Sequence, residues 1–322
     1  MNRRAKRTLL SAALIAGLAS GSSSALAEDV KRELETSNNP TVSIEIDSGD
    51  LTINTWERSV VLIEGTLDDR VETFEVDLRS KNSVDIEIED EDDSFRNGET
   101  ETLLVITLPV NSRVSVEAFN GSVAVNNVAG SVDVETVNGP INVANTRGFL
   151  SLETVNGSIN AKDVHGNVEA ETVNGSIRLV QVAGERLELG TVNGSLEVES
   201  VARTVEVESV SGSTELNLDR VERLVASSVA GGLKGALHLE RQGDLQVESV
   251  SGRVRLTLIE PLDIAVSVES LSGHIDNDIN DVDIEKGDFG LGRSLNFSEG
   301  DASAEVRINT VSGEVDLRRK SK

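Results

Sequence analysis

The sequence has no cysteine and no tyrosine, four prolines, one tryptophan and six phenylalanines among 322 residues. The missing cysteine removes disulfides, thiolate metal sites, cysteine nucleophiles and a lipid-accepting cysteine together. Aromatics at 2% exclude a thick core filled by large rings. Disorder is excluded by the opposite observation, because 38% of residues are hydrophobic, mostly Val, Leu, Ile and Ala, and proline is scarce. Positive charge is short as well: 30 Lys and Arg stand against 56 Asp and Glu, a net charge of −26. That balance excludes nucleic acid as a partner, since phosphates need clustered cations, and it disfavours an anionic membrane surface.

The scarce cations begin the chain. Arg3, Arg4, Lys6 and Arg7 precede an apolar run from Leu9 to Leu18, and Ala25-Leu26-Ala27 follows. A charged start, a short apolar stretch and an A-x-A site read as a secretory signal peptide cut after Ala27. The apolar run is shorter than the ~20 residues of a membrane span. Without those four cations the mature chain carries −30. It shows no second hydrophobic span, so an exported protein, periplasmic or secreted, is expected.

What the chain has in abundance is a repeat. Glycine stands at Gly121, Gly130, Gly139, Gly148, Gly157, Gly166, Gly175 and Gly184, nine residues apart each time. The units alternate in kind. One reads E-T-V-N-G-S-I, as in Glu153 to Ile159, and the other is looser, as in Asp163 to Val168, so the true period is 18 residues. Asn120, Asn138, Asn156, Asn174 and Asn193 recur with it. Apolar residues fall at alternate positions around each glycine, which means strands with one face inward; the Val two before each glycine, such as Val155 and Val173, is expected inside. Asn-Gly also favours hairpin turns, but antiparallel hairpins do not explain a likeness that returns every second strand. A coil that closes every 18 residues does. The expectation is an all-β, single-stranded parallel β-solenoid, flattened to two strands per turn, with turns stacked at ~4.8 Å.

The expected organisation is a signal peptide at 1–27, an irregular β region and cap at 28–118, regular solenoid turns at 119–257, and C-terminal rungs with an inserted loop and basic tail at 258–322. The tail, Arg318-Arg319-Lys320-Ser321-Lys322, is expected to discourage pairing at an exposed last rung.

The units Val155 to Ile159, Val250 to Val254 and Thr310 to Leu317, with Ser48 to Ile53 and Trp56, resemble the bacterial putative-adhesin domain family of unknown function, over nearly the whole mature chain. The resemblance implies an exported β-solenoid and brings no catalytic residues.

Candidate sites are few. The asparagine row is expected to be a structural ladder of stacked amides, and the eight glycines to be turn positions. Thr136, Thr154, Thr172 and Thr191 form a parallel row, expected at outward strand positions. Nine-residue glycine units suggest the calcium β-roll, yet no unit has its G-G-x-G-x-D pattern; Gly231-Gly232-Leu-Lys-Gly235 lacks the aspartate. Asp276-Asn-Asp278-Ile-Asn280 starts like an EF-hand loop but has Asp281 where glycine is needed. Neither a metal nor a cofactor is expected. His165, His238 and His274 have no nucleophile context. The leading reading is a non-catalytic structural, adhesion-type or protein-binding scaffold of the cell envelope, its partner an envelope or surface protein or glycan. The alternatives are a polysaccharide-binding or polysaccharide-processing β-helix, which needs an aromatic-lined groove, and a periplasmic modulator of a membrane partner.

Overall fold

The computed structural model describes residues 28–91, 102–287 and 292–321. The leader read above, Phe95 and Phe289 lie outside them. Among the described residues every regular element is a strand, and alternation sets each one. In β10 (Val132–Asn138), Val132, Val134 and Thr136 are buried while Asp133 and Glu135 face out, and an Asn-Gly corner ends the strand.

One face of the coil stacks β8 (Arg113–Asn120), β10, β12 (Leu150–Asn156), β14 (Val168–Asn174) and β16 (Arg186–Asn193), all parallel. The other stacks β9 (Val123–Asn126), β11 (Ile141–Thr146), β13 (Ile159–Val164), β15 (Ile177–Val182) and β17 (Leu196–Ser200). Thr136 aligns with Thr154 and Thr154 with Thr172, so each residue pairs with its equivalent one turn on. The long extended segment β18 (Thr204–Ser251) continues both faces, residues 204–211 lying on β16 and 214–218 on β17. The fold is a flattened parallel β-solenoid.

Both ends depart from sequence order. Turn β2 (Thr41–Ser48) with β3 (Asp50–Trp56) lies directly on β8 and β9. Outside it sits the turn of β6 (Ser83–Asp90) with β7 (Leu103–Pro109). Antiparallel β5 (Val71–Ser80) covers β6, and β4 (Val60–Leu67) with β1 (Glu28–Glu35) covers β7. At the far end, β24 (Ala304–Thr310) and β25 (Glu314–Lys320) come last in the sequence. They are inserted between residues 244–249 with β19 (Arg253–Ile259) on one side and β20 (Ile264–Ser270) with β21 (Ile275–Asp278) on the other. Antiparallel β23 (Arg293–Glu299) then covers β20, with β22 (Glu285–Lys286) at its edge.

Two readings change accordingly. Much of the region expected as irregular cap is in-register solenoid, and only β1, β4 and β5 cap it. The basic tail guards no exposed rung, because β25 is internal. Its first cation serves Asp316 instead: Arg318, with Arg255 of β19, donates to that carboxylate, at 2.8 and 2.9 Å, while Arg319 pairs with Glu260. Burial opposes the charge on Asp316, but those hydrogen bonds and the two guanidinium charges outweigh it and hold its carboxyl below the usual range.

Every fully buried apolar side chain among the described residues is Val, Ile, Leu or Ala. Phe74 and Phe297 only pack against the rim of this core, on the capping strands β5 and β23. Two sheets this close leave no room for a ring between them, which is why the composition is so poor in aromatics.

Candidate functional site

Glycines stack in two columns, one at each edge of the coil. A Cβ on Gly157 would lie 2.0 Å from the Gly139 carbonyl oxygen, and one on Gly139 would lie 1.8 Å from that of Gly121. Gly148, Gly166 and Gly184 meet Gly130, Gly148 and Gly166 in the same way at the other edge, and Gly130 meets Ser112. Close approach of successive turns, more than left-handed backbone, demands glycine here: φ lies in the left-handed region at Gly121 and Gly139 but not at Gly157 or Gly175. The left-handed positions of the second edge belong to Asn127, Asn145, Asp163 and Gln181, with φ of 55–63°. Their 18-residue spacing, in residue types that tolerate this conformation, was a readable signal that the glycine pattern overshadowed.

Beside the first glycine column runs a line of amides. Asn138 Nδ2 donates to Asn120 Oδ1, Asn156 to Asn138 and Asn174 to Asn156, each at 2.9 Å, and Asn193 to Asn174 at 3.1 Å. Ser211 Oγ closes the row on Asn193 Oδ1 at 3.0 Å.

The positions just before the asparagines invert the expectation. Thr154 and Thr172 are buried, 4% exposed each, whereas Val155 and Val173 face solvent at 41% and 40%. The reason is the corner. Its glycine carbonyl needs a donor inside the coil, and a threonine hydroxyl supplies one: Thr154 Oγ1 donates to Gly139 O at 3.3 Å and Thr172 Oγ1 to Gly157 O at 3.1 Å. Valine cannot donate, so strand parity places it outside. The threonine row is therefore internal, and the outward row is aliphatic.

Register makes that outward row continuous. Phe119, Val137, Val155, Val173, Val192, Val210, Val229 and Val250 follow one another turn by turn, and Val311 and Leu271 extend the row through the inserted rung. Two residues before most of them, also outward, stands an acid. Glu87, Glu45, Glu117, Glu135, Glu153 and Glu171 align one per turn; Gly190, Ser227 and Asn309 interrupt the column, and Glu208, Glu248 and Glu269 belong to it. The two rows are the walls of a shallow groove of about 1470 Å³ along the rod, with the threonines and serines between them as floor and Arg293 at the C-terminal end. The opposite face carries no such row; its outward positions hold ion pairs such as Lys234–Glu215 and Arg253–Glu314. Crowding is felt in the acid wall. Desolvation first, then the charges of Glu135 and Glu171, raise the Glu153 carboxyl above its ordinary value. Desolvation and the nearby Glu89 and Glu45 do the same to Glu87.

The remaining candidates do not converge. His238 Nδ1 lies 3.1 Å from the Ile259 carbonyl, His274 pairs with Asp276, and His165 sits on a distant turn. Asp278 aligns with Arg318 in β25. Among the described residues no three His, Asp or Glu side chains gather as a metal site. The described aromatics are dispersed as well: Trp56 donates to the Val60 carbonyl, Phe74 lies on one cap and Phe297 on the other, Phe119 is exposed near the end of β8, and Phe149 is exposed in the turn before β12.

The model of the Toastrack DUF4097 family matches residues 41–318. The chain belongs to that family. Solved structures similar to this Toastrack chain include a putative cell adhesion protein from Clostridium sporogenes, with 11% identity over 92% of this chain and 100% of that one and a TM-score of 0.22. A putative adhesin from Bacteroides fragilis has 11% identity over 90% and 97%, with a TM-score of 0.40. A putative lipid binding protein from Parabacteroides distasonis has 14% identity over 71% and 93%, with a TM-score of 0.42. No curated protein matches the chain. No helix among the described residues is long and apolar enough to cross a membrane.

Proposed function

We propose that this Toastrack protein is an exported, non-catalytic scaffold of the cell envelope, and that the groove between its glutamate and aliphatic rows is its binding face. The observation that carries the reading is the unbroken outward row from Phe119 to Val250, held at one side chain per turn by the register of the rungs. Apolar side chains kept in solvent over the length of a rod mark a contact surface. The glycine columns and the asparagine ladder keep that surface straight, so their role is structural: each amide from Asn138 to Asn193 spends one N–H on the preceding turn. The family and the leader sequence at 1–27 support export. A polysaccharide-binding role has less support, because the described aromatics share no surface.

The test is genetic. A deletion strain is scored for surface attachment and envelope stress and complemented with wild type or with Val155→Glu/Val210→Glu. Both substitutions are at exposed positions and leave folding intact. The wild type restores the phenotype and the groove variant does not; full complementation by the variant overturns the groove as the binding face.

A further inference from the structure

We infer that the occupant of the groove is a second copy of this chain, paired side by side and parallel about a two-fold axis along the rod; the inference rests on reading the groove as the binding face. Period is the first argument. The aliphatic row repeats once per turn, about 4.8 Å, and an α-helix or a strand laid along it repeats at about 5.4 or 3.3 Å and loses register within a few turns. An identical rod keeps register over every turn.

Charge and shape are the second. Across the face the order is glutamate, groove, aliphatic, then the asparagine corner. A two-fold axis parallel to the rod reverses that order in the partner. Each aliphatic row then drops into the other copy's groove, the two rows lie together in the middle, and the glutamate rows end up on opposite outer sides. There each faces the partner's asparagine corner, whose amides use one N–H along the ladder and have the other to donate. An antiparallel pairing about an axis across the rod sets glutamate against glutamate for the whole length and is disfavoured. Ten turns by four columns of residues give a contact of roughly 50 by 13 Å on each copy, which reaches the lower range of stable protein interfaces at about 1,200 Å² in total.

The absence of cysteine makes the test direct. Residues 28–322 are examined by sedimentation equilibrium at 0.15 and 1 M salt, together with Val173→Glu/Val192→Glu and, as control on the opposite face, Ala144→Glu. Dimers are expected, tighter in high salt because the two acidic rods repel less. The groove pair weakens them at least tenfold and the control leaves them unchanged. Single-cysteine variants then read the orientation. In the parallel pair Val137→Cys and Val250→Cys, far apart along the rod, each cross-link to themselves under mild oxidation. A monomer at every concentration, a dimer indifferent to the groove variant, or cross-links at mid-rod Val192→Cys alone overturns the proposal. A monomer whose groove variants still fail to complement the deletion leaves the scaffold reading standing and removes the pairing only.

Discussion

At the scale of single residues, the corner is where chemistry is least negotiable. A methyl group on Gly157 has to displace the backbone of the previous turn, so Gly157→Ala is expected to cost about 2–4 kcal/mol. Gly232, whose Cβ would approach nothing nearer than 3.9 Å, accepts alanine within about 0.5 kcal/mol. Urea denaturation of the two variants separates close approach from any general demand for glycine. The hydroxyl row gives a second contrast. Thr154 Oγ1 receives the Thr136 hydroxyl at 2.8 Å and donates to Gly139 O at 3.3 Å, whereas the buried Ser209 hydroxyl has no hydrogen-bond partner. Thr154→Val is therefore expected to destabilise by about 1 kcal/mol, and Ser209→Ala to be neutral or to stabilise. Equal losses in thermal melts would contradict the account of why threonine is inside. At this scale the sequence was only partly legible. Spacing located Thr154 and Val155 but not which of them faces in, because both fit a strand. The difference lies in a donor required by a carbonyl one corner away, a demand that appears only when the coil is closed.

At the scale of elements, an 18-residue period is legible wherever consecutive turns are also neighbours in space. That holds from β8 to β17, where a side chain's environment depends on its equivalent one turn away. It fails at β2, β6, β20 and β24, since each lies against a turn distant in sequence and no fixed spacing records an insertion. The aliphatic groove shared this fate: its residues were in view, and their assignment to the interior hid them. The inserted last rung has its own consequence for pH. Asp316 has a folded pKa below its unfolded value, so its contribution is present above the ordinary carboxylate pKa of about 4 and is lost as pH falls through the lowered folded value. Asp316→Asn should abolish that part of the acid sensitivity. It should also loosen β24 and β25 at neutral pH, because two guanidinium groups lose their carboxylate. Hydrogen exchange in β25 reports it: faster exchange there, with β12 and β14 unchanged, is the expected result, and unchanged protection in β25 would show that the cations pin nothing.

At the scale of the whole molecule, an excess of acid is arranged rather than scattered. Stacking puts like residues over like, so a single glutamate in an 18-residue unit becomes a column of carboxylates one turn apart, and the rod carries a charged rib beside an apolar one. The rib has a stability cost with a definite sign. The folded pKa of Glu153 is raised, so its ionised form is less favourable in the rod than in the unfolded chain. The penalty is complete above the folded pKa and disappears below the unfolded one. Glu153→Gln removes it. The variant is expected to melt about 1–2 °C higher than wild type at pH 7, with the difference vanishing near pH 3.5, where both side chains are neutral. Added salt at pH 7 should shrink the gap by screening Glu135 and Glu171, but not close it, because desolvation is the larger cause. A variant no more stable than wild type at pH 7 would mean that the column is open enough to water for its charges to ignore one another. The acid wall would then be a solvated surface and no longer a constraint on how a partner, or a second rod, approaches the groove.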